Sequence, residues 1–256
     1  MNATDAPTNP VSTVDTAFDI LETLRANEGM TLTELADELG LAKSTVHRHL
    51  QTLHHRQYIV CRENGYYPSL RFLEFGKQVQ TRRKGYRMAK ETVRELAEET
   101  GERAQFLVEE HGRAVYVHRA TGSHAVRTDP GIGKRIPLHI TSSGKAILAR
   151  LPRERVEAIF DRHGLTAATE YTTTDREALF KEFERIRERN YSINEQENVE
   201  GLHALGTTIR DANGEVLGAI SISGPSHRLT GDLFEKELPS LLLGTANELE
   251  LNIVHS

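Results

Sequence analysis

The stretch from Thr31 to Tyr67 constrains this chain more than any other. It holds two short amphipathic segments that meet at Gly40, followed by two β-prone runs that meet at Asn64-Gly65. Thr31 and Glu34 have the spacing at which each side chain satisfies an orphan N–H at a helix start. Leu32, Leu35, Ala36 and Leu39 recur at helical spacing and define an inward stripe. Gly40 stops that helix, because glycine takes the left-handed conformation of a helix end without a steric penalty. In the next segment, at about 100° per residue, Val46, Leu50 and Leu53 fall on one face. Ser44, Arg48, Gln51 and His55 collect on the opposite face, flanked by Thr45 and His47. Residues 58–62, Glu63-Asn64-Gly65 and Tyr66-Tyr67 read as strand, turn, strand, with Asn-Gly favouring positive φ at both central turn residues. The pattern predicts a winged helix-turn-helix, a device that sets its second helix in the major groove of DNA. A helical hairpin with a solvated polar face is the plainer alternative.

Charge points the same way. The chain carries 32 Lys and Arg against 37 Asp and Glu, a formal net of −5. Between Leu41 and Lys90, however, eleven basic side chains face only Glu63 and Glu74, a local net of +9. A positive field inside an acidic chain is the footprint expected for a polyanion partner. The candidate DNA contacts are Lys43, Ser44, Thr45, His47, Arg48 and Gln51 on the second helix and Arg62 on the hairpin. Arg pairs with guanine, Gln with adenine, and Ser or Thr with phosphate or a base edge. Arg82 is a further candidate for phosphate. His47, His49, His54 and His55 have no cysteines nearby and read as extra donors beside DNA rather than as metal ligands.

No apolar run reaches 18 residues, so no membrane-spanning helix is expected, and no signal peptide precedes the first helix. Cys61 is the only cysteine, which excludes an intrachain disulfide and fits a reducing cytoplasm. Residues 1–10 are polar and read as a flexible leader, and 11–77 as the winged helix-turn-helix domain. That domain opens on a helix with Val14, Ala17, Phe18, Leu21 and Leu24 turned inward. Residues 78–100 read as a helical linker ended by Gly101, and 101–256 as a second domain. In the second domain, runs at 103–110 and 114–119 flank His111-Gly112 as a hairpin, and 135–141 is extended before a helix that begins at Ser142. An amphipathic helix over 175–190, strands near 191–194, 202–210 and 215–223, and a long helix from Asp232 follow. The fold class is therefore α+β, with a mixed antiparallel sheet flanked by helices, which suits a sensory domain as well as an enzyme.

Known catalytic and nucleotide motifs do not fit. Gly144-Lys145 lacks the earlier glycine of a phosphate-binding loop, and Ser221-Ile-Ser-Gly lacks the glycines of a nucleophile elbow. No catalytic residue, cofactor or metal is expected. Two function classes remain: a ligand-responsive DNA-binding regulator, or an enzyme with a catalytic C-terminal domain that uses the helix-turn-helix for assembly. The basic winged helix favours the first.

Four stretches carry a resemblance. They are Leu32 through Arg48, Pro137-Leu138-His139 with Gly144-Lys145-Ala146, Glu200-Gly201, and Ser221-Ile222-Ser223-Gly224-Pro225. In this order and spacing the chain resembles the IclR family of prokaryotic transcription regulators along nearly its whole length. The resemblance implies a winged helix-turn-helix, a helical linker and a C-terminal domain similar to GAF domains that binds a small effector. Its implied effector contacts are Ser142, Ser143 and Gly144 at a helix start, then Asn194, Ala204, Ser221 and Ser223. Helix-start amides and hydroxyls suit a carboxylate or a sugar-derived acid. Asn194 stands where an Asp is frequent and Ala204 where a Cys is frequent. The implied partners are double-stranded DNA with a near-palindromic operator, a small-molecule effector, and further copies of the chain as a dimer or dimer of dimers. Phe72, Leu73 and Phe75 are the candidate dimer contacts, and no membrane is involved.

Overall fold

The computed structural model describes residues 9–125 and 131–255, so the expected leader lies outside the described residues except for its last two. The chain forms two compact units, Met1–Val79 and Gln80–Ser256. Among the described residues, no helix is long and apolar enough to cross a membrane.

The first unit runs α1 (Ser12–Ala26), α2 (Leu32–Leu39), α3 (Lys43–His55), β1 (Ile59–Arg62), β2 (Gly65–Pro68) and most of α4 (Arg71–Thr81). The capping box forms as the spacing predicts: the Thr31 N–H donates to the Glu34 carboxylate at 2.7 Å, and the Glu34 N–H to Thr31 Oγ1 at 3.3 Å. Gly40 ends α2 with φ 63°. Val46, Leu50 and Leu53 of α3 bury against Ile20, Leu24, Leu35, Ala36 and Ile59. Two local expectations are corrected. Only Ile20 and Leu24 of α1 are fully buried, while Val14 and Phe18 face outward at 48% and 60% exposure. In the wing, Arg62 pairs with Gly65, so Glu63 and Asn64 form the turn, and neither has positive φ. Gly65 serves another purpose. A Cβ there would stand 2.5 Å from the Met30 carbonyl, and the bare backbone lets Met30 bridge to Tyr66.

The second unit holds one six-stranded sheet, ordered β5 (Arg135–Pro137), β4 (Arg113–Thr121), β3 (Arg103–Glu110), β8 (Val216–Pro225), β7 (Leu202–Arg210), β6 (Ser192–Glu195). It is antiparallel in every pairing. Alternation along each strand sends side chains to two faces. Phe106, Ile220 and Ile222 meet α5 (Lys84–Thr100) and α9 (Leu238–His255), and α9 is preceded by a π-helical turn at Leu233–Glu237. On the other face Leu107 and Ala219 meet α6 (Ser142–Leu148), α7 (Arg153–His163) and α8 (Arg176–Arg189) through Ile147, Phe160 and Phe183.

Two features of this unit depart from the expected outline. Residues 84–100 are not a free-standing linker, because Tyr86, Ala89, Val93, Leu96 and Ala97 of α5 are buried in the sheet's core. Their spacing is that of a helix with one apolar face, and burying it stabilises the unit more than exposing it would. The second departure is a bulge. Phe106 pairs with His118 and Leu107 with Tyr116, which leaves Val117 as an extra residue in β4. The insertion re-aims the strand, so that Tyr116 and His118 lie on opposite faces of the sheet.

Candidate functional site

The outward face of α3 carries Lys43, Ser44, Thr45, His47, Arg48 and Gln51, all exposed, as is Arg62 on β1. The unit thus brings the six helix positions onto one surface, and the inward triad Val46, Leu50, Leu53 fixes the helix's rotation about its axis. Ala42 precedes the helix with no side-chain cap, so no side chain competes for the first-turn N–H groups. Arg82 pairs with Glu110 on β3 at 2.7 Å.

A cavity of about 180 Å³ lies in the second unit on the sheet face that carries Leu107. Its floor is the sheet. Arg103, Gln105 and Leu107 of β3 line it at every second position, beside Ser221 and Ser223 of β8, Ala204 of β7 and Asn194 of β6. Tyr116, Lys134 and Ile136 close one side. The roof is Thr141, Ser142 and Ser143 at the start of α6, with Asn198 and Val199 from the loop between β6 and β7, and Leu202 at the start of β7 completes the lining. Six of the seven implied effector residues therefore meet around one space.

Gly144 does not line it. Its N–H donates to the Thr141 hydroxyl at 3.0 Å, so that helix-start amide serves the cap and not a ligand. Its lack of a Cβ has a packing reason, since a Cβ would stand 2.0 Å from the Leu138 carbonyl oxygen. Gly206 on β7 makes a matching approach from below, where a Cβ would lie 2.6 Å from the Ser143 nitrogen. The start of α6 is thus pressed between two bare backbone positions.

Polar order in the cavity is specific. Gln105 Nε2 donates to Ser223 Oγ at 2.9 Å, and Asn194 Nδ2 donates to the Ile140 carbonyl at 2.7 Å. An Asp at position 194 has no proton to give that carbonyl when ionised, so Asn ties the segment before α6 to β6. Ser143 Oγ is buried with no hydrogen-bond partner, which in a native fold calls for an explanation such as a ligand or a water. Burial pushes the Tyr116 phenol up to about 12, against the pull of the Arg103 and Arg119 guanidinium groups. Among the described residues, two cations, Arg103 and Lys134, line the cavity, and no Asp or Glu does.

The loop over the cavity is held by a buried ion pair. Lys145 of α6 bonds the Glu197 carboxylate, with side chains 5% and 9% exposed. Thr172 Oγ1 donates to the Glu197 carbonyl at 2.6 Å and Thr169 Oγ1 to the Gln196 carbonyl at 2.8 Å. Gln196 itself takes φ 67°, and its side chain accepts from the Gly201 N–H at 2.9 Å. These bonds fix the positions of Asn198 and Val199 above the floor.

The sequence reading missed Arg103, Gln105, Tyr116, Lys134, Thr141 and Asn198. The alternation Arg103, Gln105, Leu107 was available as a signal for a shared face, but which face meets the cavity depends on the helices that cover it.

Comparisons with known proteins agree with this arrangement. The model of the IclR helix-turn-helix domain matches residues 13–62, and that of the bacterial transcriptional regulator IclR C-terminal domain matches residues 78–251. The probable HTH-type transcriptional regulator ArcR of Halobacterium salinarum is 30% identical over 251 residues, covering 95% of this chain and 94% of that protein. The transcriptional repressor IclR of Escherichia coli is 31% identical over 254 residues, covering 97% and 92%. A crystal structure of an IclR homolog from Microbacterium hydrocarbonoxydans, complexed with 4-hydroxybenzoate, shares the fold with a TM-score of 0.80, at 20% identity, over 95% of this chain and 100% of that one. The relatives are named as regulators and repressors, so the reading of the C-terminal domain as an enzyme falls. Both family models match in order, one on the helix-turn-helix and one on the unit that holds the cavity, and the chain belongs to the IclR family of transcription regulators.

Proposed function

We propose that this regulator binds a near-palindromic operator as a dimer and that a small acid in the cavity of its second unit sets its operator affinity. The observation that carries the reading is the cavity itself, a space lined, among the described residues, by two cations and by serine hydroxyls and by no carboxylate. Anionic ligands, a carboxylate or a sugar-derived acid, match that balance. The complex of a distant family member with 4-hydroxybenzoate is in keeping with an organic acid in this fold.

On the DNA side, Arg48 and Gln51 read base edges, while Lys43, Ser44, Thr45, His47 and Arg62 contact phosphate or flanking bases. One winged helix reads few base pairs, and two-fold pairing doubles the site. Support for pairing comes from apolar surface exposed in the single chain: Phe72, Leu73 and Phe75 on α4, at 38%, 67% and 44% exposure, and Phe18 on α1. A dimer of dimers and residence in the cytoplasm complete the proposal. The domains of the proposal are 11–77 for DNA and 101–256 for the effector, joined by the helical stretch 78–100, whose α5 packs into the core of the second unit.

The test pairs footprinting on the DNA upstream of the chain's own gene with operator titrations in a small-molecule fraction of cell extract. A symmetric protected site is expected. Ser221→Ala with Ser223→Ala should abolish the response to the extract and leave ligand-free operator affinity intact. An unchanged response in the double variant would remove the cavity from the mechanism.

A further inference from the structure

The outer surface of α5 carries charge in the reverse of the order a helix prefers. Acids are favoured where a helix begins, beside its free N–H groups, and bases where it ends. In α5 the first turn holds no acid and the last turn no base. Arg83 at the N-cap, Lys84, Arg87 and Lys90 come first, and Glu95, Glu98 and Glu99 follow. Packing does not ask for that order, because Tyr86, Ala89, Val93, Leu96 and Ala97 fill a different face. Lys84 turns aside to the Ile253 carbonyl at 3.2 Å. At about 100° per residue, Arg83, Arg87, Lys90 and Arg94 lie within about 60° of one another, on one stripe.

Only the far end of the stripe is neutralised. Arg94 bonds both Glu91 and Glu98. Glu91 stands four residues after Arg87, a spacing that lets the two pair, yet its carboxylate goes to Arg94. Arg83, Arg87 and Lys90 are exposed and form no ion pair among the described residues. Two of them are nevertheless held in place. Arg87 Nη1 donates to the Thr81 carbonyl at 2.8 Å, and the Arg83 guanidinium stands 5.7 Å from the centre of the Tyr86 ring. From Arg83 to Lys90 the helix rises about 10 Å, close to the span of three phosphates at about 3.4 Å per strand charge. The chain also limits how far this stripe can be from DNA. Between Pro68 of the wing and Arg83, the eleven residues of α4 cover about 15 Å and the remaining links about 18 Å when extended. Arg83 is thus within about one turn of DNA from the wing. We propose that Arg83, Arg87 and Lys90 contact DNA phosphates beside the stretch read by α3, an anchor in the unit that holds the cavity. Phosphate contacts position a protein without reading sequence, so the anchor adds affinity on any DNA. It does not depend on what the cavity binds.

Fluorescence anisotropy of the full chain on a random-sequence duplex of about three helical turns, repeated across a range of salt, tests it. Each phosphate neutralised adds about 0.9 to the slope of log affinity against log salt. Lys90→Gln should flatten that slope by about one for each chain bound, and Arg83→Gln, Arg87→Gln and Lys90→Gln together by about three. Arg87→Lys should keep the slope, which separates the charge from the bond to Thr81. Lys181→Gln, an equal loss of charge on the exposed side of α8, should leave the slope as it is. An unchanged slope in the triple variant overturns the proposal; a simultaneous loss of self-association in light scattering would then assign the stripe to a second copy of the chain. Equal flattening by Lys181→Gln also overturns it, as an effect of net charge alone. Should the triple variant fail to fold, Lys90→Gln, which breaks no hydrogen bond among the described residues, decides by itself.

Discussion

Replacing Lys145 with Met tests the physics of the loop over the cavity. The pair it forms with Glu197 is nearly dry, with side chains 5% and 9% exposed. That separates it from surface pairs such as Arg94–Glu98, at 51% and 63%, whose loss is close to neutral. Removing one partner of a buried pair strands a charge and costs about 3–5 kcal/mol. For a unit of this size that is a drop in Tm of about 6–20 °C, at roughly 2–4 °C per kcal/mol. Burial holds the Glu197 carboxyl above its ordinary value of 4.5, and Lys145 pulls it part of the way back. An acid raised in this way binds its proton more tightly folded than unfolded, so its contribution to stability is fully present below 4.5 and is lost as pH rises through the folded value. Without Lys145 the carboxyl rises further. The damage from Lys145→Met should therefore be greatest at neutral pH and above, and should shrink on acidification as Glu197 takes up a proton. Scanning calorimetry across pH reads both effects, following the transition of the larger unit because two units need not melt together. Lys145→Met with Glu197→Leu should recover most of the loss. A drop of less than about 1 kcal/mol at neutral pH, or a loss that grows on acidification, would refute the argument that this pair is desolvated.

Three further outcomes are expected. Arg48→Ala should cost about 1–3 kcal/mol on the cognate operator and relax preference at one base pair; equal loss on all sequences would reject it as a base reader. Thr31→Ala removes the capping box of α2 and should destabilise the first unit by about 0.5–2 kcal/mol, read by chemical denaturation. Leu73→Glu should shift a dimer to monomer in light scattering and weaken operator binding together with it, while leaving the fold of each unit intact because Leu73 is 67% exposed.

Much of the first unit was legible because its signals are local. Thr31, Glu34 and Gly40 act within one or two turns, and the apolar spacing of α3 states which face turns inward. The wing turn misled because Gly65 answers to Met30, a contact no short window contains. In the second unit, strand positions were visible in alternation, but α7 went unnoticed although Val156, Ile159 and Phe160 have helical spacing. The cavity residues reached through the resemblance were the serines and their neighbours. Tyr116 was out of reach, since the extra residue at Val117 that turns it toward the cavity leaves no mark in composition or period. Arg103 and Gln105 were readable as one face of a strand, yet the identity of that face is a property of the packed sheet.

The clamp on the start of α6 sets where this cavity has freedom to be redesigned. Any side chain at Gly144 or Gly206 would strike backbone at 2.0 Å or 2.6 Å, and backbone cannot swing aside as a long side chain can. The roof is therefore a fixed datum. The floor meets the cavity with side chains alone, and exchanging Leu107, Ile136 or Ala204 reshapes the space without asking the main chain to move. The shape of this space can be changed in single steps from below, each step leaving the helix above in register.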